Sequence, residues 1–286
     1  SETYVALALF YLQRERKEEA VEVLEDGIEN LPGEILVVQA LANYYRVEGD
    51  DEKADELIEE VYQRKTAIFL EHIRKNGVTI RPGVLEMLRE AKAKGLKIAS
   101  VSSTPIEVLK ALLQNLAPDM SSYFDLVVSS DDAWRCENRD RGKPEPDCYL
   151  YAKKVLGLSN PIAFEDTQIS MEAAVRAGIP CVAAPSEWAT KQDFSKAVLR
   201  VKELSEVEGV DSITQMVSAT KTTKPVDGLL FGSIGLLAHS SEVQWRAFNQ
   251  ALREKYPGRA AEIEWDRETY VKSLKPAWGG SDCARS

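Results

Sequence analysis

Two short apolar strands with polar residues at their ends constrain this sequence more than anything else in it. Lys97-Ile98-Ala99-Ser100-Val101 stops at Ser102, and Pro161-Ile162-Ala163-Phe164 stops at Glu165-Asp166. Gly142-Lys143-Pro144-Glu145-Pro146-Asp147 lies between them. In open α/β sheets ligands bind outside the carboxyl ends of the strands. A hydroxyl, a lysine and a carboxylate pair gathered there predict a phosphate and metal site on a parallel sheet.

The surrounding chain supports such a sheet. Helix 85–94, strand 97–101, helix 105–115, strand 124–128, helix 147–156, strand 161–164, helix 170–177 and strand 180–184 follow one another. Strands alternating with helices give a parallel sheet covered on its faces. Gly95 is placed as a helix C-cap, and Ala177-Gly178-Ile179-Pro180 reads as a helix stop leading into a buried strand.

Bulk properties exclude some functions. The net charge of -10 disfavours nucleic acid as a main partner, because phosphate backbones need basic surfaces. No apolar run reaches the roughly 20 residues needed to span a bilayer. Ser1-Glu2-Thr3 shows neither the basic segment nor the cleavage pattern of a signal peptide. The four cysteines, Cys136, Cys148, Cys181 and Cys283, form no C-x-x-C pair. The expectation is a soluble intracellular protein with reduced thiols, no membrane contact and no nucleic-acid partner.

The first sixty residues carry an internal repeat. A shift of 34 positions lays Ala6, Leu7, Ala8 and Tyr11 on Ala40, Leu41, Ala42 and Tyr45, and Ala20 and Leu24 on Ala54 and Ile58. Small residues at helix crossings, an aromatic after them and Pro32 at the turn resemble the tetratricopeptide repeat; the competing reading is a generic helical hairpin. Glu48-Gly49-Asp50-Asp51 reads as a turn with an aspartate N-cap. A repeat pair cannot bury its apolar faces alone, so residues 1–62 are expected to lean on the next helix, around 63–73, or on a protein partner.

Residues 62–200 resemble the haloacid dehalogenase superfamily, in its phosphatase and β-phosphoglucomutase-like branch with a helical cap. The resemblance rests on Arg64-Lys65-Thr66, Arg81-Pro82-Gly83, Ser102, Lys143-Pro144-x-Pro146-Asp147, Glu165-Asp166 and Ala174-x-x-Ala177-Gly178 in that order. It implies a Rossmann-like α/β domain acting on a small phosphorylated metabolite with Mg2+. Ser102 would donate to a phosphoryl oxygen, Lys143 would neutralise charge beside it, and Asp166 with Glu165 would hold the metal. Each also has an ordinary reading: Ser102 as a turn cap, Glu165-Asp166 as caps of the next helix, Lys143 as a solvated loop lysine. The charged loop 131–141 reads as solvent-facing, with Arg139 or Arg141 as minor candidates for substrate contact.

The resemblance also requires an aspartate nucleophile at the end of a central first strand, with a second acid two residues on, and nothing before residue 97 offers them. The matching segment lies late: Val226-Asp227-Gly228-Leu229-Leu230-Phe231, then Gly232-Ser233-Ile234-Gly235-Leu236-Leu237, then Ala247-Phe248-Asn249, with Trp265-Asp266-Arg267 as the start of a cap. Gly232 stands at the nucleophile position and Ile234 at the acid/base position. Neither side chain can do that chemistry. Ser233 would point to the other side of an extended strand. A register using Asp227 would place Pro225 at the nucleophile and too polar a stretch before it.

The expected organisation is therefore a tetratricopeptide-like segment at 1–62, an α/β core with the end of a cap at 63–203, a linker at 204–224, and the first strand, helix and cap start at 225–286. This is a circular permutation or, alternatively, a truncated tandem unit. The roughly 60 Å that about twenty extended residues can reach suffices for the return to the sheet. Strand 228–231 is expected between the strands ending at Ser102 and Glu165. The functional expectation is a phosphatase-like protein impaired in hydrolysis that still binds phosphorylated ligands; the alternative is an interaction module built on residues 1–62.

Overall fold

The architecture was taken from a computed structural model of the chain. It describes residues 2–30, 35–116, 120–132, 142–218, 225–232, 234–255 and 265–267. The chain divides into two compact units: residues 70–242 with 276–283, and residues 1–69 with 243–275 and 284–286.

In the larger unit, a six-stranded parallel sheet has the order β2-β1-β6-β3-β4-β5. Its strands are β1 (Lys97–Val101), β2 (Leu126–Val128), β3 (Pro161–Glu165), β4 (Cys181–Ala183), β5 (Leu199–Arg200) and β6 (Gly228–Phe231). β6 sits between β1 and β3, as expected. Phe231 is in register with Ser100 on one side and Phe164 on the other, and all four β6 residues are buried. An apolar run buried on both faces is the mark of a central parallel strand. The Phe164 and Phe231 rings stack at 4.9 Å.

The helices of this unit include α5 (Val84–Ala93), α6 (Ile106–Asn115), α7 (Asp147–Leu156), α8 (Gln168–Arg176) and α9 (Gly209–Ser218). Val84, Met87, Leu88 and Ala91 give α5 its buried stripe at helical spacing. Gly157 closes α7 in the left-handed region, as glycine does without steric cost. The expected linker at 204–224 needs correction: it contains a 3-10 turn at Leu204–Glu206 and then α9. Val210, Ile213 and Val217 recur at helical spacing and are buried. Gly209 and the interspersed hydroxyl residues hid that stripe, and only packing against α5 gives it a purpose. Residues 219–224 lie outside the described residues.

Arg81 ties the rim of the sheet together. The guanidinium is 4% exposed. It donates to the carbonyls of Ala184 (2.8 Å), Gly235 (3.0 Å), Pro185 (3.3 Å) and Lys202 (2.8 Å), and to Glu203 Oε2 (3.0 Å). One planar fork thus holds the chain beyond β4, beyond β5 and beyond β6. Gly83 beside it has φ +85°, and a Cβ there would overlap the backbone at Ser205.

The smaller unit contains α1 (Glu2–Leu12), α2 (Lys17–Asn30) and α3 (Ile35–Val47), followed by the 26-residue α4 (Asp51–Asn76), whose start belongs to it. Ala8, Ala20, Leu24, Val37 and Leu41 form its buried cluster. The backbone N–H of Lys53 donates to Asp50 Oδ1 at 3.2 Å, so the expected aspartate cap is present. Along α11 (Ser241–Lys255), Asn249 clamps Trp265: its Oδ1 accepts from the Trp265 N–H at 2.9 Å and its Nδ2 donates to the Trp265 carbonyl at 3.0 Å.

Candidate active site

The predicted residues converge at the carboxyl tips of β1, β6 and β3. Lys143 lies 22 residues before Glu165 in sequence, yet its ammonium meets the Glu165 carboxylate at 2.6 Å. The lysine side chain is 4% exposed and the glutamate 0%, so Lys143 is not a solvated loop residue. Its Nζ also donates to the Val101 carbonyl at 2.9 Å and to Ser170 Oγ at 3.3 Å. The lysine thereby links the end of β1 to the end of β3. Burial alone would pull its pKa down, but the facing Glu165 carboxylate, with Asp166 nearby, raises it and keeps the ammonium charged.

Tyr149, on α7, donates its hydroxyl to the same Glu165 oxygen, Oε1. Burial and the adjacent carboxylate push that phenol well above its ordinary range. Burial also pushes the Glu165 carboxyl up, against the pull of Lys143. The second oxygen, Oε2, is buried with no hydrogen-bond partner.

Gly232 explains where that oxygen points. Its N–H donates to the Phe164 carbonyl at 2.8 Å, extending the β6–β3 pairing to the tip of the sheet. A Cβ at Gly232 would overlap the Glu165 carboxylate. The glutamate head therefore lies against the space a side chain at 232 would enter. A Cβ at Gly235 would likewise overlap Asp166 Oδ2. Two glycines let two carboxylates close in on the end of β6. Ile234 is buried and begins the short helix α10 (Ile234–Leu237). Ser233 lies outside the described residues, as do Arg139 and Arg141.

Ser102 is 1% exposed at the end of β1. Its N–H donates to the Val128 carbonyl at 2.9 Å and its Oγ accepts from the Thr104 N–H at 3.1 Å. It does cap the following turn, and its hydroxyl proton is not consumed by that bond. Glu165 and Asp166 are not the caps of α8, because Thr167 Oγ1 accepts from the Ser170 N–H. Asp227 lies at the opposite end of β6, where its carboxylate accepts from the N–H groups of Ser159 (2.6 Å) and Asn160 (3.0 Å). That position agrees with rejecting the Asp227 register.

Three participants were not singled out from the sequence. Tyr149 and Ser170 looked like ordinary positions on an amphipathic helix, and Gly235 like a loop glycine. No local signal marks a core tyrosine as a carboxylate's partner.

Mg2+ takes hard oxygen ligands and is commonly held by one or two carboxylates together with substrate phosphate oxygens. Asp166 and the orphaned Oε2 of Glu165 supply two such oxygens, and Gly232 supplies none. Among the described residues no three of His, Cys, Asp and Glu come together as a metal centre. The donor set fits a divalent ion that a bound phosphate completes, not a metal centre made by the protein alone.

The profile of a family described as haloacid dehalogenase-like hydrolase matches residues 6–178. The chain belongs to this family. Its match includes the N-terminal helices. The chain is 32% identical over 155 residues to Protein CbbY of Rhodobacter capsulatus, covering 53% of this chain and 66% of that protein. It is 34% identical over 121 residues to a phosphorylated carbohydrates phosphatase of Thermotoga maritima, covering 42% of this chain and 50% of that protein. The chain thus spans half to about two thirds of the length of these relatives. A crystal structure of a CbbY variant from Rhodobacter sphaeroides with xylulose-(1,5)bisphosphate aligns with a TM-score of 0.47 at 23% identity, covering 57% of this chain and 67% of that one.

Proposed function

We propose that this chain binds a small phosphorylated metabolite, of the sugar-phosphate class, at the tips of β1, β6 and β3, and that it is impaired in hydrolysing it. The observation that carries this reading is the insertion of β6 between β1 and β3, with Gly232 against the Glu165 carboxylate. The central position of the tip, flanked by Ser102 and Lys143 on one side and Asp166 on the other, has no side chain to attack phosphorus. Family membership and the phosphatase relatives support the ligand class.

Phosphoryl transfer relies on positioning and on stabilising charge over the phosphoryl oxygens. Lys143 provides a permanent cation. Its 3.3 Å bond to Ser170 is the longest of its three and the one a phosphoryl oxygen would replace. Ser102 turns its hydroxyl proton to the same group. Asp166 and Glu165 would hold Mg2+, which supplies further neutralisation when bound. Without a covalent nucleophile, only the residual rate from positioning and electrostatics is left. The first helix pairs, read as tetratricopeptide-like repeats, and the late β6, read as a circular permutation, complete the proposal.

A panel of sugar phosphates with Mg2+ tests it. The expected result is a thermal upshift with phosphorylated ligand, lost in Lys143→Met, and turnover near background. Robust turnover abolished by Asp166→Ala would sink the impaired reading. A second reading, in which residues 1–62 recruit a protein partner and the α/β unit is scaffold, draws on the exposed apolar residues of α1. No thermal response to any phosphorylated ligand would favour it.

A further inference from the structure

Beyond the carboxyl ends of β4, β5 and β6 the larger unit holds a cavity of about 360 Å3, a size typical of small-molecule sites. Ser102, Lys143 and Glu165 are not part of its lining. The cavity lies on the side of the sheet where open α/β folds bind ligands. Its wall carries the hydroxyls of Ser186, Thr190 and Ser241 and the carboxylates of Glu187 and Glu242. Pro185 and Ala238 are its apolar members, and no Phe, Tyr or Trp ring lines it among the described residues. Arg81 and Glu203 also border it. All five guanidinium donors are spent on Glu203 and on four carbonyls, so this pair braces the wall and offers a ligand no further donor. Gly235 joins the cavity to the strand tips. A Cβ at Gly235 would overlap Asp166 Oδ2 and lie 3.5 Å from Ser186 Cβ, and the Ser186 N–H donates to the Asp166 carbonyl at 3.1 Å. Asp166 and Ser186 thus meet over a glycine that lines the cavity.

We infer that this cavity takes the uncharged, hydroxyl-rich end of a sugar monophosphate whose phosphoryl group sits at the tips of β1, β6 and β3. The inference rests on the sugar-phosphate reading of those tips and says where the rest of the ligand goes. β6 and β4 are two strand spacings apart, about 10 Å, a span that a phosphorylated pentose or hexose covers. The lining selects the class. Sugar hydroxyls donate to carboxylates and exchange bonds with serine and threonine hydroxyls. A second phosphate is disfavoured, because Lys202 and His239 are matched in number by Glu187 and Glu242, and Arg81 is already committed to Glu203. A nucleobase is disfavoured too, for want of a large aromatic ring to stack on.

The test is isothermal titration of the full chain, with Mg2+, against inorganic phosphate, ribose 5-phosphate, fructose 6-phosphate and fructose 1,6-bisphosphate. At least one monophosphate should bind about tenfold or more tighter than inorganic phosphate, and the bisphosphate should gain nothing over fructose 6-phosphate. Glu187→Ala/Thr190→Val removes two cavity groups, and Thr190→Trp fills the space from its rim. Both positions are exposed, so these variants should melt like the parent without ligand. Each should weaken the monophosphate about tenfold and leave inorganic phosphate within about twofold. Monophosphates that bind no better than inorganic phosphate, or that both variants bind like the parent, overturn the cavity assignment while the strand-tip reading stands. Tighter binding of the bisphosphate overturns the selection against a second phosphate. Absence of binding by inorganic phosphate and by every sugar phosphate sinks the strand-tip reading itself, and the cavity assignment with it.

Discussion

Lys143→Met should be the most informative single change at the strand tips. The substitution keeps an unbranched side chain as far as Cε and removes the charged Nζ. It leaves Glu165, fully buried, with Tyr149 as its remaining described donor and Oε2 already orphaned. Removing one partner of a buried ion pair costs about 3–5 kcal/mol, because the survivor is an uncompensated charge. At about 2–4 °C per kcal/mol for a domain of this size, Tm should fall by roughly 6–20 °C. Urea unfolding followed by circular dichroism measures the loss. Lys143→Met/Glu165→Leu replaces the pair with apolar groups and should recover most of it. The pH dependence follows from the raised pKa of Lys143. A group raised in the folded state contributes stability that is complete below its unfolded value, near 10.5, and is lost as pH rises through the higher folded one. The wild type should therefore lose this contribution only in strong alkali, and Lys143→Met should lack that transition. A single variant within about 1 kcal/mol of wild type, the range of solvated pairs, would refute the reasoning. So would a double variant whose loss equals the sum of the two singles.

Arg81→Lys should destabilise by about 3 kcal/mol in the same melts, because an ammonium cannot reproduce five directed bonds from one planar fork. Gly83→Ala should cost about 1–3 kcal/mol from its φ of +85° alone, and more from overlap with Ser205; a neutral result would mean the 83–205 contact is looser than described. Alkylation at pH 8 followed by mass mapping should leave Cys148 and Cys181 unmodified until urea is added. Burial pushes the Cys148 thiol up to about 11 and holds the Cys181 thiol well above its ordinary value.

Glu165 and Asp166 were legible as candidates because two carboxylates at the end of an apolar run are unusual in a core. Lys143 was legible through the prolines around it, but its actual bonds were not. Whether a lysine faces a phosphate, water or a glutamate 22 residues on depends on which strands become neighbours. Thr167 took the helix cap that Glu165-Asp166 could have made, a competition among adjacent polar residues that local propensity does not resolve. The α9 stripe was overlooked because Val210, Ile213 and Val217 are too few to declare a helix before α5 is there to receive them.

The sequence by itself determined that Gly232 and Ile234 carry no group able to attack phosphorus or move a proton. That is a matter of covalent composition and needs no coordinates. It also determined the alternation of strands and helices, because hydrophobic period and breaker residues act within a few positions. Only the tertiary structure decided that β6, 127 residues after the end of β1, is its hydrogen-bonded neighbour. Parallel pairing is chosen by burial on both faces of a whole sheet, not by the two strands alone. The same choice sets the Glu165 carboxylate against the backbone of Gly232, a meeting that no local pattern encodes.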